Sequence, residues 1–221
     1  MLMISDVGDR MELAEKLKEG QLKNHQLELR IPSEVASSLE LATQMLQLQK
    51  QFLTSENAQL VLDESANRIQ TLKHLHLYQV KEKGVEVLKT DSFFNAIVKK
   101  VMEDGNDNGV SLNVGLNTSD ILLPMNKALP FCLVVNEVIS NSLRHAFPSK
   151  LTGDIQITFK RQGDYYIFEL SDNGKGLPNS FNWEKSNTFG FRLIQKLLIQ
   201  LKGAATVTSD KGCKMMVTFP A

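Results

Sequence analysis

Apolar side chains between residues 35 and 52 fall into two neighbouring stripes, Val35, Leu39, Ala42 and Leu46 beside Leu41, Met45, Leu48 and Phe52. Steps of three and four residues are those of an α-helix, and a face this wide buries best between several helices. Pro32 is disfavoured in a helix interior by ~3 kcal/mol but suits a first turn, so a new helix is expected to begin near Ser33. The polar run 54–57 permits a reversal, after which Leu62, Ala66, Ile69, Leu72, His76 and Val80 resume the helical spacing. These two segments predict an α-hairpin that becomes a four-helix bundle on dimerisation. The run 81–84, ending in Gly84, reads as a hinge. Beyond it, helices expected at about 91–104 and 131–146 are interleaved with strand-like runs at about 110–115, 154–160 and 165–171. The expected fold class is α+β: a helical hairpin followed by a two-layer α/β sandwich.

Composition narrows the function classes. The 221 residues suffice for one or two domains, and 42% hydrophobic with 23% charged residues is the make-up of a soluble protein with a real core. Lys plus Arg and Asp plus Glu balance at 25 each, so no general pull toward nucleic acid or an anionic membrane is expected. Cys132 and Cys213 stand apart in apolar surroundings and read as buried free thiols in a reducing compartment. No segment has the run of apolar residues that spans a bilayer, and the start lacks a signal peptide's pattern, so the expected location is cytoplasmic. The four histidines lack metal-ligand spacing. His76 lies in an apolar stripe and should pack or cap, whereas His74 should be exposed.

Two segments carry candidate chemistry. Around residues 136–147, Leu133, Val134, Val138 and Leu143 can face a core while Glu137, Asn141 and His145 recur every four residues on another face. That face offers a carboxylate, an amide and an imidazole to one ligand. A neutral Asn oxygen suits Mg²⁺, which takes hard oxygen ligands and shares its remaining positions between water and nucleotide phosphates. Glu137 would orient a water or a metal-bound group. An ordinary amphipathic helix with a polar outer face accounts for the same spacing. The second segment, Asp172-Asn-Gly174-Lys-Gly176-Leu-Pro178, follows the strand-like run 165–171. Asp172 can accept a hydrogen bond from the exocyclic amine of adenine, and Gly174 and Gly176 permit backbone conformations and a close ligand approach that a Cβ would block. Asn-Gly is also a plain turn signal. Together, a metal-binding amide and an adenine-binding carboxylate point to ATP.

In order and in kind, the motifs between about 91 and 220 resemble the ATP-binding catalytic domain of two-component sensor histidine kinases, part of the GHKL-type superfamily shared with gyrase-type ATPases. The Asn-box is matched by Glu137, Asn141, Arg144 and His145, and the first glycine box by Asp172, Gly174 and Gly176. Thr188-Phe-Gly190-Phe-Arg-Leu-Ile194 resembles the second glycine box, which closes the nucleotide lid. The resemblance implies that Asn141 holds Mg²⁺, Asp172 reads adenine, Gly174 and Gly176 border the base, and Thr188 to Phe191 approach the phosphates. Arg144 and His145 would then neutralise phosphate charge. The second box has a single glycine, Gly190, and the lid from 179 to 188 is short, as in the subclass where a Ser-Leu-Gly-Leu-like sequence follows a brief lid. Lys175, inside the first box, is expected to face solvent.

Upstream, residues 33–78 resemble the dimerisation and phosphoacceptor hairpin of the same subclass, whose first helix opens His-Arg-Val-Lys-Asn-Asn-Leu. Val35, Leu39, Leu46, Leu48 and Gln49 carry the match, followed by Asn67-Arg-Ile and His76-Leu-Tyr78 in the second helix. The register puts Ser33 at the phosphoacceptor position. A serine hydroxyl needs an adjacent general base, and Glu34 points to another part of the helix surface. His25, the alternative acceptor, has flanks unlike the motif. Residues 3–7 and the charged run after them resemble the last strand of a PAS sensor domain and its linker helix. The expected units are therefore 1–31 (end of a sensor and linker), 32–88 (hairpin) and 89–221 (ATP-binding domain). The resemblance implies a homodimer with a response-regulator receiver domain as partner, and transfer of the γ-phosphoryl group of Mg-ATP to the hairpin. With serine at position 33, two other readings stand: a non-catalytic ATP-responsive scaffold, and a protein-serine kinase of the anti-sigma type, against which the attached hairpin argues.

Overall fold

The computed structural model describes residues 35–107, 109–148, 152–178 and 180–221. Ser33, His25, Pro32 and the sensor-and-linker reading of 1–31 lie outside the described residues.

Helix α1 covers 35–51 and helix α2 covers Glu56–Tyr78, whose N-cap Ser55 accepts from the Ala58 N–H. The two lie alongside each other, tied by Lys50 to Asp63 at 2.7 Å and by Lys73 to Glu40. The stripe of Val35, Leu39, Ala42 and Leu46 is half-buried, whereas Leu41 (62% exposed), Met45 (67%), Leu48 (57%) and Phe52 (80%) face solvent. The run 81–84, expected as a hinge, instead ends β1 (Gln79–Glu82) and turns tightly at Lys83 and Gly84 into β2 (Val85–Lys89). Lys83 and Gly84 both take positive φ, 51° and 83°, which lets a two-residue turn follow the twist of its strands. Strand β2 pairs in turn with β4 (Leu122–Pro124), so one three-stranded sheet joins residues on both sides of position 88. Helix α2 therefore runs directly into the sheet of the following unit.

That unit comprises α3 (Thr90–Asp107), β3 (Ser111–Thr118), β4, α4 (Met125–His145), β5 (Thr152–Gln162), β6 (Tyr165–Asp172), a one-turn 3₁₀ helix (Trp183–Lys185), α5 (Phe189–Leu201), β7 (Ala204–Thr208) and β8 (Cys213–Pro220). Five strands form a sheet in the order β3-β5-β6-β8-β7, parallel between β3 and β5 and antiparallel elsewhere. Alternate residues of β5, β6 and β8 are buried, the period-two signature of a sheet covered on one face. Phe159, Phe168 and Phe219 point from that face into a cluster with Phe93 and Phe94 of α3 and Phe131 of α4, all at 0% exposure. Phe131 stacks on Phe159 at 4.6 Å between ring centroids. The architecture is α+β, as expected.

Two boundaries differ from the sequence reading for identifiable reasons. Helix α4 starts at Met125, ahead of the expected start at about 131, so Pro130 sits inside it and is buried. Pro130 lies past the first turn, whose donors have no intrahelical partner, so its missing N–H removes one backbone bond, to the carbonyl of Asn126. Residues 188–194, read only as a glycine box, begin helix α5, which buries Ile194, Leu197, Leu198 and Leu201.

Candidate functional site

A cleft of about 550 Å³ opens between the C-terminal half of α4, the segment after β6 and the N-terminus of α5. Its volume suits a small organic ligand. At one end Asp172, the last residue of β6, is 8% exposed. Its Oδ1 accepts from the backbone N–H of Gly174 (2.9 Å) and of Cys213 (3.1 Å), and its Oδ2 accepts from Ser142 Oγ (2.8 Å). A carboxylate has about four acceptor sites, so three donors hold it rigid and leave one free toward the cleft. Val138, Leu170, Val207 and Met215 line the same end with apolar surface. One free acceptor beside apolar walls is the chemistry that a flat heterocycle with an exposed N–H requires.

The opposite end is polar. Asn141, Arg144 and His145 of α4 line it together with Thr188 and Gly190 at the start of α5. A Cβ built on Gly190 would stand 3.0 Å from Glu137 Oε2 and 4.0 Å from Asn141 Oδ1, so the missing side chain keeps a cradle open beside two hard oxygens. That donor set suits a cation of the Mg²⁺ type shared with phosphate oxygens. Burial, then the cations Arg144 and Lys175, depress the pKa of His145, with Glu64 pulling weakly the other way.

Glu137 is 5% exposed and does not face the cleft alone. Arg68 of α2 donates Nε to its Oε1 at 2.7 Å and Nη2 to its Oε2 at 3.1 Å. Arg68 also reaches Glu64 at 3.2 Å, and Glu64 in turn accepts from Arg144. Burial opposes the charge of Arg68, but the bonds to Glu137 and Glu64 outweigh it and raise its pKa. Farther along, Thr71 Oγ1 donates to Asn136 Oδ1 at 2.9 Å and Lys100 to Asn67 at 3.0 Å, holding α2 against α4 and α3.

The structure thus gathers Glu137, Asn141, Arg144, His145, Asp172, Gly176, Thr188 and Gly190 around one cleft. Gly174 is different: a Cβ there would lie 2.4 Å from Ala146 Cβ, so it is small to let the turn pass the end of α4, not to admit a ligand. Gly176 takes φ 72° against Ser209. Lys175 is exposed at the rim. Cys132 is fully buried, but Cys213 is half-buried and lines the cleft, its thiol pushed up to about 11 by burial and then by Asp172. His74, expected at the surface, is half-buried, stacks on Tyr78, and has its pKa lowered by burial, then by Lys100 and Lys73. His76 bonds Gln79 at the end of α2. Sequence reasoning misses Ser142, Glu64 and Arg68. The last two form an i,i+4 acid-base pair, which reads as an ordinary surface pair until α2 is placed beside α4. Among the described residues no cluster of three or more His, Cys, Asp or Glu could hold a metal, and no helix is long and apolar enough to cross a membrane.

Comparison with known proteins bears on both units. Residues 126–221 match the family model described as "Histidine kinase-, DNA gyrase B-, and HSP90-like ATPase", and residues 35–104 match one described as "Histidine kinase". Blue-light-activated histidine kinase 2 of Erythrobacter litoralis (strain HTCC2594) is 24% identical over 181 residues, 79% of this chain and 51% of that protein. Sensor histidine kinase PdtaS of Mycolicibacterium smegmatis is 26% identical over 168 residues, 74% of this chain and 33% of that protein. The chain therefore spans about half, or less, of the curated relatives it matches. The solved histidine kinase domain of the Erythrobacter litoralis blue-light activated histidine kinase superposes with a TM-score of 0.66 at 20% identity, covering 86% of this chain and 91% of that one. That likeness speaks for the fold.

Proposed function

The chain belongs to the histidine kinases and carries the catalytic core of a sensor kinase, and from that premise we propose that its cleft binds Mg-ATP for phosphoryl transfer. The observation that carries the reading is the opposition of Asp172, rigidly held with one acceptor site free, to the open cradle between Asn141, Glu137 and Gly190. Asp172 accepts from the adenine amine, with Val138 and Met215 against the ring. Asn141 holds the metal, while Arg144, His145, Thr188 and Gly190 surround the phosphates. Glu137 orients the acceptor once it is released from Arg68. Bound Mg²⁺ would neutralise phosphate charge as it redistributes in the transition state, a step that otherwise rests on positioning. The exposed stripe of Leu41, Met45, Leu48 and Phe52 pairs with a second copy to complete a four-helix bundle, and a response-regulator receiver domain takes the phosphoryl group in the cytoplasm. The units 32–88 and 89–221 then serve as acceptor and donor.

One test separates metal from base recognition. Asn141→Ala is expected to weaken Mg-ATP binding at least tenfold by titration calorimetry and to abolish its Mg²⁺ dependence, while adenosine binding holds. Unchanged Mg-ATP affinity in this variant removes Asn141 from the metal site.

His145 supplies a pH signature. Its depressed pKa keeps the ring uncharged in the free protein near neutrality, so it costs stability only as pH falls below the unfolded value of about 6.5. Phosphates nearby favour the imidazolium and raise that pKa, so nucleotide binding takes up a proton. ATP affinity is expected to rise several-fold between pH 7.5 and 6, with buffer-dependent binding enthalpy that disappears in His145→Ala. Equal proton uptake in that variant places the titrating group elsewhere.

A second reading is favoured by Ser33 and by the pairing of Arg68 with Glu137. In it, nucleotide shifts the hairpin and so partner binding, without phosphorylation. ATP binding without label transfer to position 33, or to a histidine placed there, distinguishes it.

A further inference from the structure

The outer wall of the cleft's polar end is not part of the ATP-binding unit at all. It is the second hairpin helix, which contributes Val61 and Glu64. The charges there alternate along one chain: Glu137, Arg68, Glu64, Arg144. Each cation of the chain is held by carboxylates of the protein, and Arg144 is the one from α4 that borders the place proposed for the phosphates. Phe189, the first residue of α5, lies over the Arg68 guanidinium, 4.5 Å from carbon to ring centroid, so the start of α5 rests on the same arginine.

Resting on the nucleotide reading of this cleft, we propose that Glu64 is a built-in competitor for the phosphates, so that hairpin docking and triphosphate binding oppose each other. Docked as observed, the Glu64 carboxylate occupies Arg144 and adds a negative charge where a polyanion would sit. Arg68 simultaneously takes both oxygens of Glu137 and seats Phe189. A nucleotide that recruits Arg144 must displace Glu64, which removes one of the ties between α2 and α4. By linkage, whatever loosens α2 strengthens triphosphate binding by the same factor. Adenosine, lacking phosphates, makes no such demand and is indifferent to the state of the hairpin. The coupling therefore exists only for a ligand that carries phosphate charge, which separates it from a merely structural ion pair.

The test uses the full chain and its isosteric variant Glu64→Gln, titrated with Mg-ATP and with adenosine. The expected result is an ATP affinity about tenfold tighter in Glu64→Gln, the effect of removing one like charge at partly screened range, with adenosine affinity equal in both proteins. Equal adenosine binding also certifies that the variant is folded around an intact base site. ATP affinity in Glu64→Gln that is equal to or weaker than in the unaltered chain, with adenosine still bound, overturns the competitor role and leaves the nucleotide site standing. Failure of both proteins to bind either ligand overturns the site reading and the inference with it.

Discussion

Asp172→Asn is expected to weaken ATP binding at least 100-fold and adenosine binding by a similar factor. Asn and Asp have the same shape, and the Asn Oδ1 can still accept from the N–H groups of Gly174 and Cys213. Its NH₂ then takes the place of the carboxylate oxygen that now accepts from Ser142. The Ser142 hydroxyl can rotate and accept instead, so the fold survives. The second face of that NH₂ points into the cleft as a donor, where adenine also presents a donor. One hydrogen bond is lost and two N–H groups are opposed, a change of about 3 kcal/mol, which is somewhat more than 100-fold in affinity. Because the damage lies at the base, removing the phosphates does not relieve it. That contrasts with Asn141→Ala, which spares adenosine. The same inversion should erode discrimination against guanine, whose carbonyl at the equivalent ring position accepts. Undiminished ATP binding in Asp172→Asn, with the variant's melting temperature unchanged, rules out Asp172 as the base reader.

How much of the fold and the site is legible in the sequence depends on how local each signal is. The four-residue recurrence of Glu137, Asn141 and His145 by itself puts three polar groups on one face of a helix, and the strand character of β6 carries Asp172 to the opposite wall. Helical and strand periods survive translation into space because they are properties of short segments. The hydrophobic alternation of β5 and β6 is readable for the same reason. Strand pairing is not: β4, three residues long, exists only because β2 offers it an edge, and nothing in Leu122-Leu-Pro124 announces a strand by itself. At Gly174, Asp-Asn-Gly invites a ligand explanation, whereas the constraint comes from Ala146, distant in sequence. Arg68 and Glu64 are invisible as site residues in the sequence because their role is set by where α2 docks. The exposed stripe of Leu41, Met45, Leu48 and Phe52 shows the same limit from the other side. Its apolar spacing is plain, but only the packing of α1 on α2 shows which of the two stripes stays exposed among the described residues.

Histidine at position 33 is expected to convert a chain that incorporates no γ-labelled phosphate from Mg-ATP into one that does. The family match and helix α1 both begin at residue 35, close behind position 33 in sequence. Phosphoryl transfer asks little covalent chemistry of the protein beyond a positioned, competent nucleophile. An imidazole near neutrality is partly unprotonated and needs no activation, whereas a serine hydroxyl needs a base within hydrogen-bond reach. Glu34 is adjacent in sequence, and neighbours on the helix expected to start near 33 would stand about 100° apart, out of that reach. Glu137 is held by Arg68 on α2. The Ser33→His variant should therefore carry acid-labile, base-stable label, and the unaltered chain none. Acid-stable label in the unaltered chain would instead make Ser33 itself, or another hydroxyl, the acceptor. If both proteins bind Mg-ATP and neither becomes labelled, transfer to this position is excluded. The ATP-responsive scaffold then accounts for a cleft that holds nucleotide, a helix whose docking nucleotide opposes, and an acceptor site with no acceptor.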